Sequence, residues 1–224
     1  VRTVVIVSAY NEADRIGGTV VALREVFADA RILVADDGSA DGTAAAATSA
    51  GAEVVSAPRN LGKGGATTLA AERVLALAWE DDPPVFVLCD GDLADTARHL
   101  PALAATVASG ADLAVARFAR KVGGGFGLAK GFARWAIERR SGFVATEPIS
   151  GQRALSGRAF RVAVPFAHGF GMEIGMTVDV ARAGLRVVEV ELPLEHRATG
   201  RTWRGFVHRG KQLLDFLRVY VSRR

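Results

Sequence analysis

The stretch VFVLCDGDLADT, Val85–Thr96, runs from an apolar, strand-like segment straight into two carboxylates, Asp90 and Asp92, with one glycine between them. Its first half is a short continuous apolar run of the kind found in strands buried on both faces. Upstream the same unit recurs. TVVIVSAY (3–10), RILVADDGS (31–39) and AEVVSAP (52–58) read as strands. EADRIGGTVVALREVF (12–27), DGTAAAATSA (41–50) and GGATTLAAERVLALAWE (64–80) read as helices between them, the first with Ile16, Val20, Leu23 and Phe27 at helical spacing. Strands alternating with helices predict a mostly parallel, Rossmann-like α/β sheet flanked by helices on both faces.

The second half is less regular. ADLAVARF (111–118) and LRVVEVELPLEH (185–196) read as strands, and FARWAIERRSG (132–142) and GMEIGMTVDVARAG (171–184) as helices. KVGGGFGLAKG (121–131) reads as a flexible stretch and SGQRALSGRAF (150–160) as a turn-rich piece. WRGFVHRGKQLLDFLRVYV (203–221) reads as a basic amphipathic helix, suited to a membrane interface or to packing on the core or a second subunit of a homodimer.

The chain has 224 residues, 50% hydrophobic and 23% charged. A chain of this size buries roughly 70% of its unfolded surface, so a single domain spanning 1–224 is expected. The net charge of +4 permits anionic partners without naming one. Cys89 is the sole cysteine, which excludes an intramolecular disulfide and suits a reducing, cytoplasmic setting. No run of 18 apolar residues occurs, so no segment is expected to span a bilayer. VRTVVIV reads as a strand rather than a signal peptide.

In a parallel sheet, ligands gather at the carboxyl ends of the strands. YNEADR (10–15), DDGSADGT (36–43), RNLGKGGA (59–66) and DGDLADT (90–96) fall there. The first turn has no G-x-G-x-x-G, and NLGKGGA lacks the spacing of a phosphate-binding P-loop. Asp37, Ser39, Asp41 and Gly42 imitate a calcium loop, but Thr48 stands where its closing glutamate belongs. In extended backbone, residues i and i+2 point the same way, so Asp90 and Asp92 can converge. Two bare carboxylates so close repel, and a hard divalent cation, Mg²⁺ or Mn²⁺, removes the conflict. Asp92 could equally cap a following helix.

In that order, SAYNEADRI, VADDGSADGT, RNLGKGGA and DGDLAD resemble the family 2 glycosyltransferases of GT-A fold, with DGD where that family carries its D-x-D metal motif. Within it, the polyprenyl-phosphate sugar transferases resembling dolichyl-phosphate mannose synthase look nearest. The resemblance implies a nucleotide-sugar half over about 1–120 and an acceptor half with the C-terminal helix over about 121–224. It implies an inverting hexosyltransferase that takes a UDP- or GDP-linked sugar and uses Mg²⁺ or Mn²⁺. Tyr10, Asn11, Glu12, Asp36, Asp37, Lys63, Asp90 and Gly91 would then bind the nucleotide sugar, and Asp90, Asp92 and His196 the metal. Asp92 and Glu173 would be catalytic, Glu173 as a base, although its place in a first helical turn also suits the helix dipole. Arg117, Gln152, Arg153, Arg197 and Arg201 would meet acceptor or phosphate. EHRATGRTWRG departs from the family's phosphate loop, having Thr202 and Trp203 where a serine and a lysine are expected. The acceptor implied is a polyprenyl phosphate met at the inner face of the cell membrane, with a soluble sugar, phosphorylated metabolite or secondary metabolite as the alternative. A non-catalytic nucleotide-sugar binder is the third reading, and no nucleic acid is expected as a partner.

Overall fold

The structure, a computed structural model, describes residues 2–77, 83–118, 127–194 and 215–223. Its centre is a seven-stranded sheet of order β3-β2-β1-β4-β6-β5-β7. The strands are β1 (Thr3–Ala9), β2 (Arg31–Asp36), β3 (Glu53–Ser56), β4 (Val85–Asp90), β5 (Leu113–Phe118), β6 (Arg153–Leu155) and β7 (Val187–Leu192). Among the described strands only β6 runs against the rest, pairing antiparallel with both β4 and β5.

The period-2 alternation of β1 assigns its side chains to two layers. Val5, Val7 and Ala9 pack with α1 (Ile16–Val26), α2 (Thr43–Ser49) and α4 (Pro101–Ala108). Val4 and Ile6 pack on the other side with α3 (Lys63–Leu75), α6 (Gly157–Ala163) and α7 (Met172–Arg182). Phe86 of β4 stacks on Phe160 of α6 at 3.8 Å between ring centroids. The alternating first half and the mostly parallel sheet are as the sequence predicts.

The second half departs from expectation in two places. SGQRALSGRAF contains a strand and the start of a helix: β6 lasts three residues, and α6 is capped by Ser156, whose hydroxyl accepts from the Ala159 N–H. Three residues are too few to show periodicity. Helix α5, Gly127–Ser141, begins inside the stretch read as flexible. Residues 215–222 are helical and bury Phe216 and Val219 against Ala133 and Ile137 of α5 and Ile174 and Val178 of α7. That face packs on the core. Among the described residues, no helix is long and apolar enough to cross a membrane.

Candidate active site

β1 lies between β2 and β4, where the chain's winding reverses, and the crevice beyond such a switch point is the usual ligand site. The register sets the rim: Ala9 is level with Asp36, and Ser8 with Asp90. The loops after β1 and β2 are laced together. The Asn11 N–H donates to Ser39 Oγ, Asn11 Oδ1 accepts from the Ala40 N–H, and the Glu12 N–H donates to Thr43 Oγ1. Asn11 takes a positive φ of 55°, a conformation asparagine tolerates better than most residues. Tyr10 is left 49% exposed above this loop.

Lys63, the first residue of α3, is the electrostatic centre of the rim. Its Nζ donates to Asp90 Oδ1 at 2.6 Å and to Glu173 Oε1 at 2.7 Å. Burial alone would lower the lysine's pKa, but the two carboxylates outweigh it and hold it above the ordinary lysine value. Gln152 Nε2 donates to the other oxygen, Asp90 Oδ2, at 2.8 Å. Glycines make this convergence fit. A Cβ on Gly151 would lie 2.5 Å from Lys63 Nζ, and one on Gly64 would lie 1.8 Å from the Ala167 carbonyl oxygen, just before the turn into α7. Gly62, with φ +77°, makes the turn into α3.

Asp92 differs from Asp90. Its backbone carbonyl accepts from Arg15, while its half-buried carboxylate makes no hydrogen bond or ion pair among the described residues. Thr19 holds the turn by donating to the Gly91 carbonyl and accepting from the Ala94 N–H. Asp92 therefore does not cap the following 3₁₀ helix, Ala94–His99.

The sequence profile of Glycosyl transferase family 2 matches residues 4–163, from β1 through α6. This chain is a family 2 glycosyltransferase. It is 28% identical to an undecaprenyl-phosphate mannosyltransferase of Micrococcus luteus, over 90% of this chain and 86% of the relative. It is 29% identical to glycosyltransferase AglJ of Haloferax volcanii, over 88% of this chain and 64% of the relative. Among solved structures, glucosyl-3-phosphoglycerate synthase of Mycobacterium tuberculosis with Mg²⁺ and UDP superposes with a TM-score of 0.79 at 24% identity, covering 99% of this chain and 79% of that one. The same enzyme with Mn²⁺, UDP-glucose and phosphoglyceric acid gives 0.76 at 25% identity, covering 98% and 79%. The GT-A architecture is thereby shared.

In this glycosyltransferase several residues expected to face ligand are turned inward. Gln152 is fully buried and holds Asp90, so it is not placed to touch an acceptor. Arg153 is 1% exposed, with its guanidinium spent on Ser150, Pro148 and Thr177, and is likewise inaccessible to an acceptor phosphate. Both sit on a loop and three-residue strand whose burial only the tertiary fold sets. Asp37 is buried and accepts from the Leu61 N–H at 2.6 Å; burial pushes its carboxyl up, and the Leu61 and Gly62 N–H groups only partly pull it back. Asp36 is buried too and accepts from the Ser39 N–H. Arg117 remains exposed near the end of β5, paired with Glu191 of β7 at 2.5 Å. His196, Arg197 and Arg201 lie outside the described residues. The Ser39 and Gln152 contacts had only faint signals in the sequence: a serine among turn formers and an amide beside a glycine.

Proposed function

We propose that this chain transfers a hexose, with inversion, from a nucleoside-diphosphate sugar to a phosphate-bearing acceptor, foremost a polyprenyl phosphate at the cytoplasmic membrane face. The donor would lie in the crevice above β1 and β4, over the 10–12 loop and beside Lys63 and Asp90. Asp92 is the residue suited to a divalent cation. It offers hard oxygen donors that no described protein group uses, and Asp90 stands two residues away. Among the described residues no group of three potential ligands assembles, so diphosphate oxygens and water would complete the shell. Mg²⁺ or Mn²⁺ bound there supplies charge to offset that growing on the leaving nucleoside diphosphate.

The observation that carries the acceptor class is Glu173. It is 5% exposed, and Oε1 already accepts from the Lys63 ammonium. So engaged, it is poorly placed to take a proton from an incoming hydroxyl. An acceptor phosphate brings an oxygen that is already ionised, attacks the anomeric carbon directly, and needs no base. Glu173 then works by holding Lys63 over Asp90. The names of two relatives fit: one glycosylates undecaprenyl phosphate, and the other was crystallised with phosphoglyceric acid. A soluble phosphorylated acceptor is the second reading, favoured by that latter likeness.

The test offers UDP- and GDP-hexoses with Mn²⁺ to four acceptors: a polyprenyl phosphate, the matching polyprenol, 3-phosphoglycerate and glycerol. Transfer is expected to the phosphates alone and to fall at least a hundredfold in Asp92→Ala. Equal transfer to the polyprenol would overturn the acceptor reading, and full turnover by Asp92→Ala would overturn the metal role.

A further inference from the structure

Arg153 heads the fully buried side chains by size among the described residues, and no step above uses it. It is 1% exposed in the middle of the sheet, level with Leu88 of β4 and Val115 of β5. Among the described residues no carboxylate lies within salt-bridge reach of it. Its donors go to neutral oxygens instead: Nε to the Ser150 carbonyl at 2.7 Å, one terminal nitrogen to Thr177 Oγ1 at 2.8 Å, and the other to the Pro148 carbonyl at 3.3 Å. Burying an ion costs several kcal/mol, and well-packed apolar residues often replace such ions without loss of stability. Burial lowers the guanidinium pKa to about 10 even with the fields of Glu173 and Glu189 opposing the shift.

What the guanidinium holds is specific. Two of its donors fix the 148–150 carbonyls, and that loop runs directly into Gly151, packed against Lys63 and Asp90, and Gln152, bonded to Asp90. Ser150 Oγ meets Gln152 Oε1 at 3.3 Å, which turns the amide nitrogen toward Asp90. The third donor reaches Thr177, whose hydroxyl donates to the Glu173 carbonyl one turn earlier on α7. One planar fork thus ties the loop that orients Asp90 to the helix that carries Glu173. A lysine, with a single point of charge, cannot reproduce that fork.

We infer that Arg153 is a positioning residue: it sets the 148–152 loop against the first turns of α7, and thereby the spacing of Asp90 and Glu173 about Lys63. The inference rests on the proposed function for its kinetic consequence, but not for its structural one.

The experiment compares the wild type with Arg153→Lys, Arg153→Met and, as a stability control, Arg158→Ala. Arg158 clasps Asp112 at the opposite end of β5 and β6 from the 148–152 loop. Measured are Tm, amide hydrogen exchange at 149–152, and kcat and donor KM with the acceptor found above. Arg153→Lys is expected to raise exchange at 149–152 at least tenfold and to lower kcat at least tenfold, with donor KM within threefold. Arg158→Ala is expected to lower Tm while leaving kcat and exchange at 149–152 within twofold. Arg153→Lys within twofold of wild type in exchange would overturn the inference, as would a kcat loss matched by Arg158→Ala at the same fall in Tm. If Arg153→Met does not fold, Arg153→Lys still decides. A wild type inactive with every donor would refute the proposed function and leave exchange to judge Arg153.

Discussion

Replacing Lys63 with methionine removes the ammonium that bonds both Asp90 and Glu173 while keeping a chain of similar length. Both carboxylate oxygens lie within 2.7 Å of Nζ, so without it two acids face each other across a gap that Gly151 and Gln152 keep narrow. Removing one partner from a buried ion pair costs about 3–5 kcal/mol. The side chains of Lys63 and Asp90 keep 20% and 27% exposure, which puts the expected loss near the lower end, about 3 kcal/mol. For a chain of this size that is roughly 6–12 °C in Tm. The pH dependence has a definite sign. Lys63 is raised in the folded protein, so its stabilisation is complete below the unfolded lysine value of roughly 10.4 and is lost only as pH climbs through the folded value. The gap between wild type and Lys63→Met should therefore stay level from pH 7 to 9 and begin to close only above about pH 10.4. Urea unfolding at a series of pH values measures it. A difference under about 0.5 kcal/mol at pH 7, the scatter of ordinary surface substitutions, or a gap already closing at pH 8, would refute the reasoning.

Three further outcomes follow from single contacts. Gly64→Ala would drive a methyl into the Ala167 carbonyl, and overpacking against backbone should cost at least about 2 kcal/mol and misplace α7; urea midpoints and donor turnover check both. Gly18→Ala sits in α1 with nothing within 4 Å and should raise stability by about 0.5–1 kcal/mol, read as a higher Tm at unchanged turnover. Asp112→Asn should cost about 2 kcal/mol at pH 7. Burial favours the neutral acid there, but Arg158, the Arg186 N–H and Ser156 outweigh it and hold the carboxyl below the usual range. The loss should shrink as pH falls below roughly 4, because the wild type then gives up the same stabilisation as Asp112 protonates. An unfolding series from pH 7 to 3 shows the convergence or its absence.

The first half of the fold was legible because its strands are buried on both faces and each ends abruptly in polar or glycine-rich residues. Asp90, Lys63 and Glu173 could be singled out because charge at a strand end or helix start is conspicuous. Gln152 and Arg153 are conspicuous too, but the fold buries both, which their local sequence does not signal. A polar residue near a turn reads as facing ligand, and nothing local reveals that β6 carries it between β4 and β5 to almost complete burial. Asp37 shows the same limit: a carboxylate in a loop looks available, but the Leu61 N–H, 24 residues on, already holds it. Strand β6 itself was hidden by its length.

That short strand has a consequence larger than its size. The parallel strands begin at the far edge of the sheet and deliver the loops that follow them to the reactive rim. An antiparallel strand does the reverse: the loop that precedes it lies at the rim. Because β6 alone runs backward, residues 148–152 arrive beside the end of β4, where Gln152 meets Asp90 and Gly151 meets Lys63. Were β6 parallel to its neighbours, that loop would lie a strand's length away, and Asp90 would lack its amide partner. The reversal thus brings an amide 62 residues away in sequence to the Asp90 carboxylate, with Arg153, the first residue of the strand, anchoring its loop from beneath.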